Sequence, residues 1–303
     1  MRILVTGAAG YIGSALVRAL GEADVLATDQ TSMPFAQALV GNIAYPQFAR
    51  SLITAEVDVV FHLAALVSGG AEQNFELGMK VNLDATRDLL EACRRAGHCP
   101  RFVFASSIAV YGGALPDPVT DDTAPAPRIS YGAQKLICEV LIDDYSRRGY
   151  VDGRALRLPT VMVRPGSANT AVSGWASAII REPLAGRDYV CPVRPDTRMA
   201  CISVARVVQC LRRMAELPAS ALGERRTVLL TGIAVSAQRM YDAVKARAKG
   251  KVRFEPDPAL QAIMDAAPKA TFSARAATLG LPHSTSIDEI VREYEEAALA
   301  HHG

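Results

Sequence analysis

The chain opens with Arg2-Ile3-Leu4-Val5-Thr6-Gly7-Ala8-Ala9-Gly10-Tyr11-Ile12-Gly13-Ser14-Ala15-Leu16. The apolar run over 2–6 predicts a strand, 14–20 predict a helix, and Gly7, Gly10 and Gly13 form a GxxGxxG loop between them. Strand, glycine turn and helix in that order make the context of a dinucleotide fingerprint. Gly7 permits the tight turn. Gly10 lets the backbone approach a pyrophosphate resting on the helix N-terminus, and Gly13 lets the helix pack on the strand. Tyr11 and Ile12 share that loop and count with it as cofactor contacts. The competing reading is a glycine-rich turn of some other α/β fold. A second strand over 25–28 ends at Asp29. A carboxylate there can bond both ribose hydroxyls and repels a 2′-phosphate, which favours NAD over NADP; the bland reading is a turn or capping aspartate. Asn42 and Ile43, after an irregular linker, are placed near the adenine.

Downstream, strands and helices alternate. Residues 57–62 read as a buried parallel strand that runs into the small-residue turn Leu63-Ala64-Ala65. Small residues at a strand's C-terminal end leave room for a ligand. His62, within the apolar strand, is expected to pack in the core. Residues 66–70 read as loop and 71–95 as one long helix, with Asn82 at its centre needing a partner for its amide. The strand over 101–105 opens into Ser106-Ser107, whose hydroxyls face the cleft. Residues 129–148 read as a helix carrying Tyr131 and Lys135, four residues apart and so on one face. An ammonium beside a phenol favours the phenolate, and such a phenolate can take a proton from an alcohol. Tyr-x-x-x-Lys alone also occurs by chance in many helices. The strand over 154–158 stops at Pro159-Thr160-Val161. The alternation predicts an α/β fold with a doubly wound parallel sheet. Past residue 161 the rhythm breaks. The expected division is a dinucleotide-binding domain over 1–160, rejoined by 203–232, and a smaller mixed α/β substrate-binding part over 161–202 and 233–303.

Composition excludes several classes. Half of the 303 residues are hydrophobic, and 33 basic against 31 acidic side chains leave a net charge of +2. Such a chain is globular, and nothing in it calls for a nucleic acid. Six cysteines show neither CxxC pairs nor metal-ligand spacing with histidine, so free thiols are expected and no metal. No signal-like segment or run of eighteen apolar residues is present, which leads to the expectation of a cytoplasmic protein that neither spans nor binds a membrane.

The joint set of GxxGxxG, Asp29, Leu63-Ala64-Ala65, Asn82, Ser107 and Tyr131-x-x-x-Lys135 resembles the extended short-chain dehydrogenase/reductase family, which includes the sugar-nucleotide epimerases. Longer stretches, among them residues 62–69, 119–125, 146–160 and 181–186, look like the D-erythronate dehydrogenase subfamily. The resemblance spans the chain and implies a Rossmann-type fold. It also implies NAD-dependent oxidation of the C2 hydroxyl of a four-carbon sugar acid, D-erythronate to 2-oxo-D-erythronate. Carried over residue by residue, it makes Tyr131 the general base. Lys135 bonds the nicotinamide ribose and lowers the tyrosine pKa, Ser107 holds the reacting oxygen, and Asn82 sits close to the cofactor. The backbone at Pro159 and Val161 meets the nicotinamide amide. Three departures matter, one of which, Ala85 in place of a common glycine in the long helix, should cost nothing. Asn42 stands where many relatives carry aspartate. Thr160 stands where epimerases often carry an asparagine that contacts the sugar nucleotide.

A small hydroxy acid needs a cation for its carboxylate and partners for its hydroxyls. Candidates are Arg164, Arg181 and, first among them, Arg198, with Ser68, Ser107, Tyr131, Thr160 and Asn169 for the hydroxyls. Trp175 is expected to pack rather than bind. Two alternatives stay open: an NAD-dependent sugar-nucleotide epimerase or dehydratase of the same fold, and a non-catalytic NAD-sensing regulator. By analogy with relatives, a homodimer is expected through the helices over 71–95 and 129–148.

Overall fold

A computed structural model describes residues 1–21, 24–166 and 171–300. The chain runs through β1 (Arg2–Thr6), α1 (Tyr11–Leu20), β2 (Val25–Asp29), β3 (Ala38–Val40), α2 (Pro46–Ser51) and β4 (Val57–His62). Next come α3 (Ser68–Gln73), α4 (Phe75–Gly78), a π-helical turn over Met79–Asp84, and α5 (Ala85–Ala96). β5 (Arg101–Ser107) and a 3₁₀ turn over Ile108–Val110 precede α6 (Ser130–Arg147) and β6 (Asp152–Leu158). The remainder comprises β7 (Thr160–Met162), α7 (Gly174–Leu184), β8 (Tyr189–Cys191), β9 (Arg198–Ser203), α8 (Val204–Glu216) and α9 (Ala219–Leu222). It closes with β10 (Thr227–Leu229), β11 (Ile233–Ser236), α10 (Ala237–Lys245), β12 (Val252–Phe254), α11 (Pro258–Asp265), α12 (Ala274–Thr278) and α13 (Ile287–Ala300).

Among the described residues, seven strands form one parallel sheet in the order β10-β6-β5-β4-β1-β2-β3. The fold is therefore the expected Rossmann-type α/β arrangement. The connection reverses direction between β1 and β4, and ligands in such sheets bind outside the carboxyl ends of the strands at that switch point. The runs Ile3–Val5 and Val59–Phe61 are fully buried, as strands covered on both faces must be. Helices α1 and α8 cover one face through Leu16, Val17, Val207 and Leu211, while α5 and α6 cover the other through Leu89, Leu90, Cys138 and Ile142. A separate apolar cluster joins Met162, Trp175, Ile179, Met199, Met240 and Ile290 beside the small sheet β11-β9-β7. No helix among the described residues is long and apolar enough to cross a membrane.

The structure departs from the sequence expectation in two stretches. The linker after Asp29 is not irregular throughout, because Ala38–Val40 adds an edge strand to β2. The helix expected over 71–95 is broken. Asn74 leaves the helical region at φ −136°, ψ 85°, and its Oδ1 accepts from Leu77 N at 3.0 Å, capping α4. The π-helical turn then carries Asn82 inward.

Candidate active site

At the switch point the two turns touch. Gly7 has φ +72°, and a Cβ there would lie 2.7 Å from Ala64 N. A Cβ on Gly13 would lie 2.1 Å from Gly7 O, so Gly13 is required by contact, and Gly7 by contact as well as conformation. No side chain caps α1 at Gly10, which leaves its first backbone N–H groups facing outward. Above them lies a cavity of about 700 Å³. Gly10, Tyr11 and Ile12 line its floor, Leu63, Ala64 and Ala65 one side, and Pro159 and Val161 the other.

One end of the cavity is set by Asp29, Asn42 and Ile43. Backbone N–H groups of Ala9 and Thr31 each donate to Asp29 at 3.1 Å, which fixes the carboxylate at the end of β2. Asn42 Oδ1 accepts from Ala44 N at 2.9 Å, so this amide also shapes its own turn.

The other end is built on the start of α6. Glu72 on α3 accepts from Ser130 N and supplies a negative charge at the helix N-terminus. Gly132 presses α6 onto the 3₁₀ turn; a Cβ there would sit 2.0 Å from Ala109 O. This close approach brings the Tyr131 phenol beside the Ser107 hydroxyl. Ser107 Oγ accepts from Ala109 N at 3.1 Å, which holds it. Lys135, 1% exposed, donates to Ala105 O at 2.8 Å and lies over the Phe104 ring at 4.4 Å.

The electrostatics differ from the expectation that Lys135 lowers the tyrosine pKa. Burial pushes Tyr131 up to about 12, and what pulls it back is the Arg164 guanidinium and the Ser107 hydrogen bond. Lys135 is itself pushed down to about 8 by burial. Its ammonium is directed at the β5 backbone, 5.6 Å from the centre of the tyrosine ring. Arg164 stands near both Tyr131 and Tyr11, and its backbone is held by Ser177 Oγ at 3.1 Å and by Arg181 Nη1 at 2.8 Å.

The arginine candidates therefore separate. Arg164 lines the cavity. Arg181 is buried behind it, bound to Glu182 and to the Arg164 carbonyl. Arg198, the first choice from sequence, does not line the cavity; it is ion-paired with Asp117 outside it. β9 is a strand, and its first residue faces outward. Thr160 and Ser68 line the cavity, and Ser68 Oγ accepts from Val172 N at 3.1 Å. Asn169 lies outside the described residues.

Asn82, expected close to the cofactor, lies beneath the wall instead. Its Oδ1 accepts from Leu66 N at 2.8 Å, while its Nδ2 donates to Leu66 O at 3.0 Å and to Gln134 Oε1 at 2.6 Å. The π-helical turn directs this amide at backbone that no helix or strand satisfies. A further chain of bonds runs behind the same turn. Burial pushes His62 down to about 3, so the ring is neutral. Thr86 Oγ1 donates to Asn82 O at 2.7 Å and so accepts from His62 Nε2 at 2.8 Å. His62 Nδ1 then accepts from Thr6 Oγ1 at 2.8 Å, and Thr6 Oγ1 receives Leu63 N and Ala64 N, each at 3.2 Å. His62 packs in the core as expected.

Sequence reasoning missed the remaining wall. Tyr111 lines the cavity, and its hydroxyl accepts from Arg157 Nη1 at 2.6 Å; Arg157 is in turn paired with buried Glu139. Residues 262–264 and 266–268 face the opening from the second apolar cluster. They are held by Trp175 Nε1 donating to Met264 Sδ at 3.3 Å and by Gly113 N donating to Ala266 O at 3.1 Å. No motif marks that stretch. Arg128, three residues before Tyr131, also lines the cavity.

Residues 3–227 match the model of the NAD dependent epimerase/dehydratase family. The chain is 44% identical to the D-erythronate dehydrogenase of Cupriavidus necator over 99% of this chain and 100% of that protein. It is 36% identical to the D-erythronate dehydrogenase of Haemophilus influenzae, over 98% and 99%. The crystal structure of a nucleoside-diphosphate-sugar epimerase from Agrobacterium tumefaciens superposes with a TM-score of 0.91 at 36% identity, covering 99% of this chain and 95% of that one. The open N-terminus of α1, the glycine contacts and the fixed Asp29 suit the cofactor that this match implies, and the chain belongs to the NAD dependent epimerase/dehydratase family.

Proposed function

We propose that the protein oxidises the C2 hydroxyl of D-erythronate to 2-oxo-D-erythronate with NAD. The observation that carries this reading is the grouping of a buried tyrosine, a serine hydroxyl and the Arg164 guanidinium at one end of the cavity. Among the described lining residues the sole carboxylate, Asp29, is at the other end. A sugar acid fits such a site, since its carboxylate meets a cation and no repelling charge. The names of the two full-length relatives support the choice of acid.

In this reading Gly7, Gly10 and Gly13 bring the backbone to the pyrophosphate, Asp29 takes the adenosine ribose, and Pro159 and Val161 meet the nicotinamide amide. NAD supplies the hydride acceptor. Tyr131 takes the C2 hydroxyl proton, and Ser107 bonds the same oxygen. Arg164 anchors the carboxylate beside C2 and stabilises the phenolate. Lys135 serves the nicotinamide ribose. Residues 1–160 with 203–232 hold the cofactor, and 161–202 with 233–303 shape the acid pocket.

We also assign a homodimer in the cytoplasm. Ile137 and Val140 on α6 are 44% and 62% exposed, an apolar pair one helical turn apart that a second subunit would cover.

The test is purified protein with NAD and D-erythronate, followed by absorbance of NADH. Net, stoichiometric NADH is expected. An epimerase or a sensor gives none, and that result ends the proposal.

A further inference from the structure

The acid end of the cavity holds a cation that the mechanism above does not use. Arg128 lines the cavity three residues before Tyr131, at the entry to α6. Its side chain is laid against a glycine pair. A Cβ on Gly112 would lie 2.6 Å from Arg128 Cγ, and one on Gly113 would lie 3.3 Å from both Nε and Nη2. Gly113 is also tied to the far wall through Ala266 O at 3.1 Å. The guanidinium is thus laid along the mouth of the cavity, and among the described residues it makes no hydrogen bond or ion pair with protein. Most arginines described in this chain have such partners; Arg181 and Arg198 each hold a carboxylate.

The two lining arginines lie on different sides of the base. Arg164 is near Tyr11 of the glycine loop as well as Tyr131, which places it on the cofactor side. Arg128 lies on the side of Gly112 and Ala266. With C2 at Tyr131 and the carboxylate at Arg164, the rest of a four-carbon acid runs toward Arg128.

We propose that Arg128 is a specificity-determining residue that binds the C4 hydroxyl of the substrate. This rests on the function proposed above. A guanidinium N–H donates to the hydroxyl oxygen, and a substrate lacking that oxygen leaves the charge without the partner it was placed to meet. The site consequently selects a sugar acid hydroxylated at its far end over one ending in a methyl group.

The experiment compares D-erythronate with its 4-deoxy analogue, the 2,3-dihydroxybutanoate of the same C2 and C3 configuration, in the wild type and in Arg128→Ala. Wild type is expected to prefer D-erythronate by roughly ten- to a hundredfold in kcat/KM. Arg128→Ala should bring that ratio close to one by lowering the D-erythronate value, with the KM for NAD and the melting temperature unchanged. Arg128→Lys should restore part of the ratio. A wild type without preference, or a preference that survives in Arg128→Ala, overturns the assignment and leaves the proposed function standing. Equal loss on both acids means that Arg128 only positions α6, and also overturns it. No turnover of D-erythronate by wild type overturns the function and this inference together.

Discussion

Replacing Arg164 by methionine keeps the aliphatic stem and removes the charge. The guanidinium lines the cavity with no protein carboxylate beside it among the described lining residues, so a bound carboxylate would be its main counter-ion. At an effective dielectric of about 20 and a separation of about 4 Å, such a pair is worth roughly 4 kcal/mol before the cost of desolvating the acid. Hydrogen bonds to charged groups measured by substitution run to about 3 kcal/mol. The expected loss is therefore about 3 kcal/mol, or roughly a hundredfold in kcat/KM for D-erythronate, carried largely by KM. A second effect has a definite sign. Arg164 pulls the Tyr131 pKa down against the upward push of burial. Without it the phenolate is less stable, the pKa of the base rises, and the limb of the pH profile that climbs with deprotonation moves to higher pH. Steady-state kinetics from pH 6 to 10, at saturating NAD and varied acid, read both effects. A kcat/KM within about threefold of wild type, with an unmoved rising limb, would remove Arg164 as the carboxylate partner.

Tyr131→Phe should lower kcat by at least about a hundredfold while NAD still binds, as fluorescence titration would report; near-wild-type turnover contradicts the mechanism. Arg198→Ala should leave the KM for the acid within about twofold, since this side chain is paired with Asp117 outside the cavity; a large rise would reinstate it as the carboxylate partner. His62 is neutral in the fold with its pKa pushed down to about 3, whereas the unfolded value is about 6.5. The unfolded chain binds the extra proton between those values, so this residue removes about 1.4 kcal/mol of stability per pH unit as pH falls from 6 toward 3 and nothing above 7. Urea unfolding of His62→Gln should show a shallower decline over that range, and an unchanged slope would refute the assignment. Val140→Glu should convert a dimer into monomer by light scattering, and an unchanged mass would place the interface elsewhere.

Much of the fold is local in origin and was legible. GxxGxxG between an apolar strand and an amphipathic helix defines a turn of known geometry, because Gly13 closes on Gly7 within the same loop and Gly7 needs its positive φ there, although the Leu63-Ala64 backbone that Gly7 touches comes from a distant strand end. Asp29, the Leu63-Ala64-Ala65 turn, Ser107 and the Tyr131–Lys135 pair follow from their places at strand ends or on one helix face. The long helix over 71–95 was misread because Asn74 satisfies Leu77 N with its own side chain, a competition between side chain and backbone that periodicity does not register.

The amino-acid sequence by itself determined the dinucleotide frame and the Tyr131–Lys135 pair, because each rests on residues close together along the chain, and it determined the family through the order and spacing of such local motifs. Tertiary structure alone decided which of the candidate arginines lines the cavity and what shifts the Tyr131 phenol. Arg164, Arg181 and Arg198 are alike as letters, and they differ in whether a carboxylate of the chain already neutralises them, the adjacent Glu182 for Arg181 and the distant Asp117 for Arg198. The same holds for Asn82, whose amide closes on Leu66 and Gln134. Charge and hydrogen-bonding capacity belong to a residue; whether they remain available to a ligand depends on partners that only the folded chain brings near.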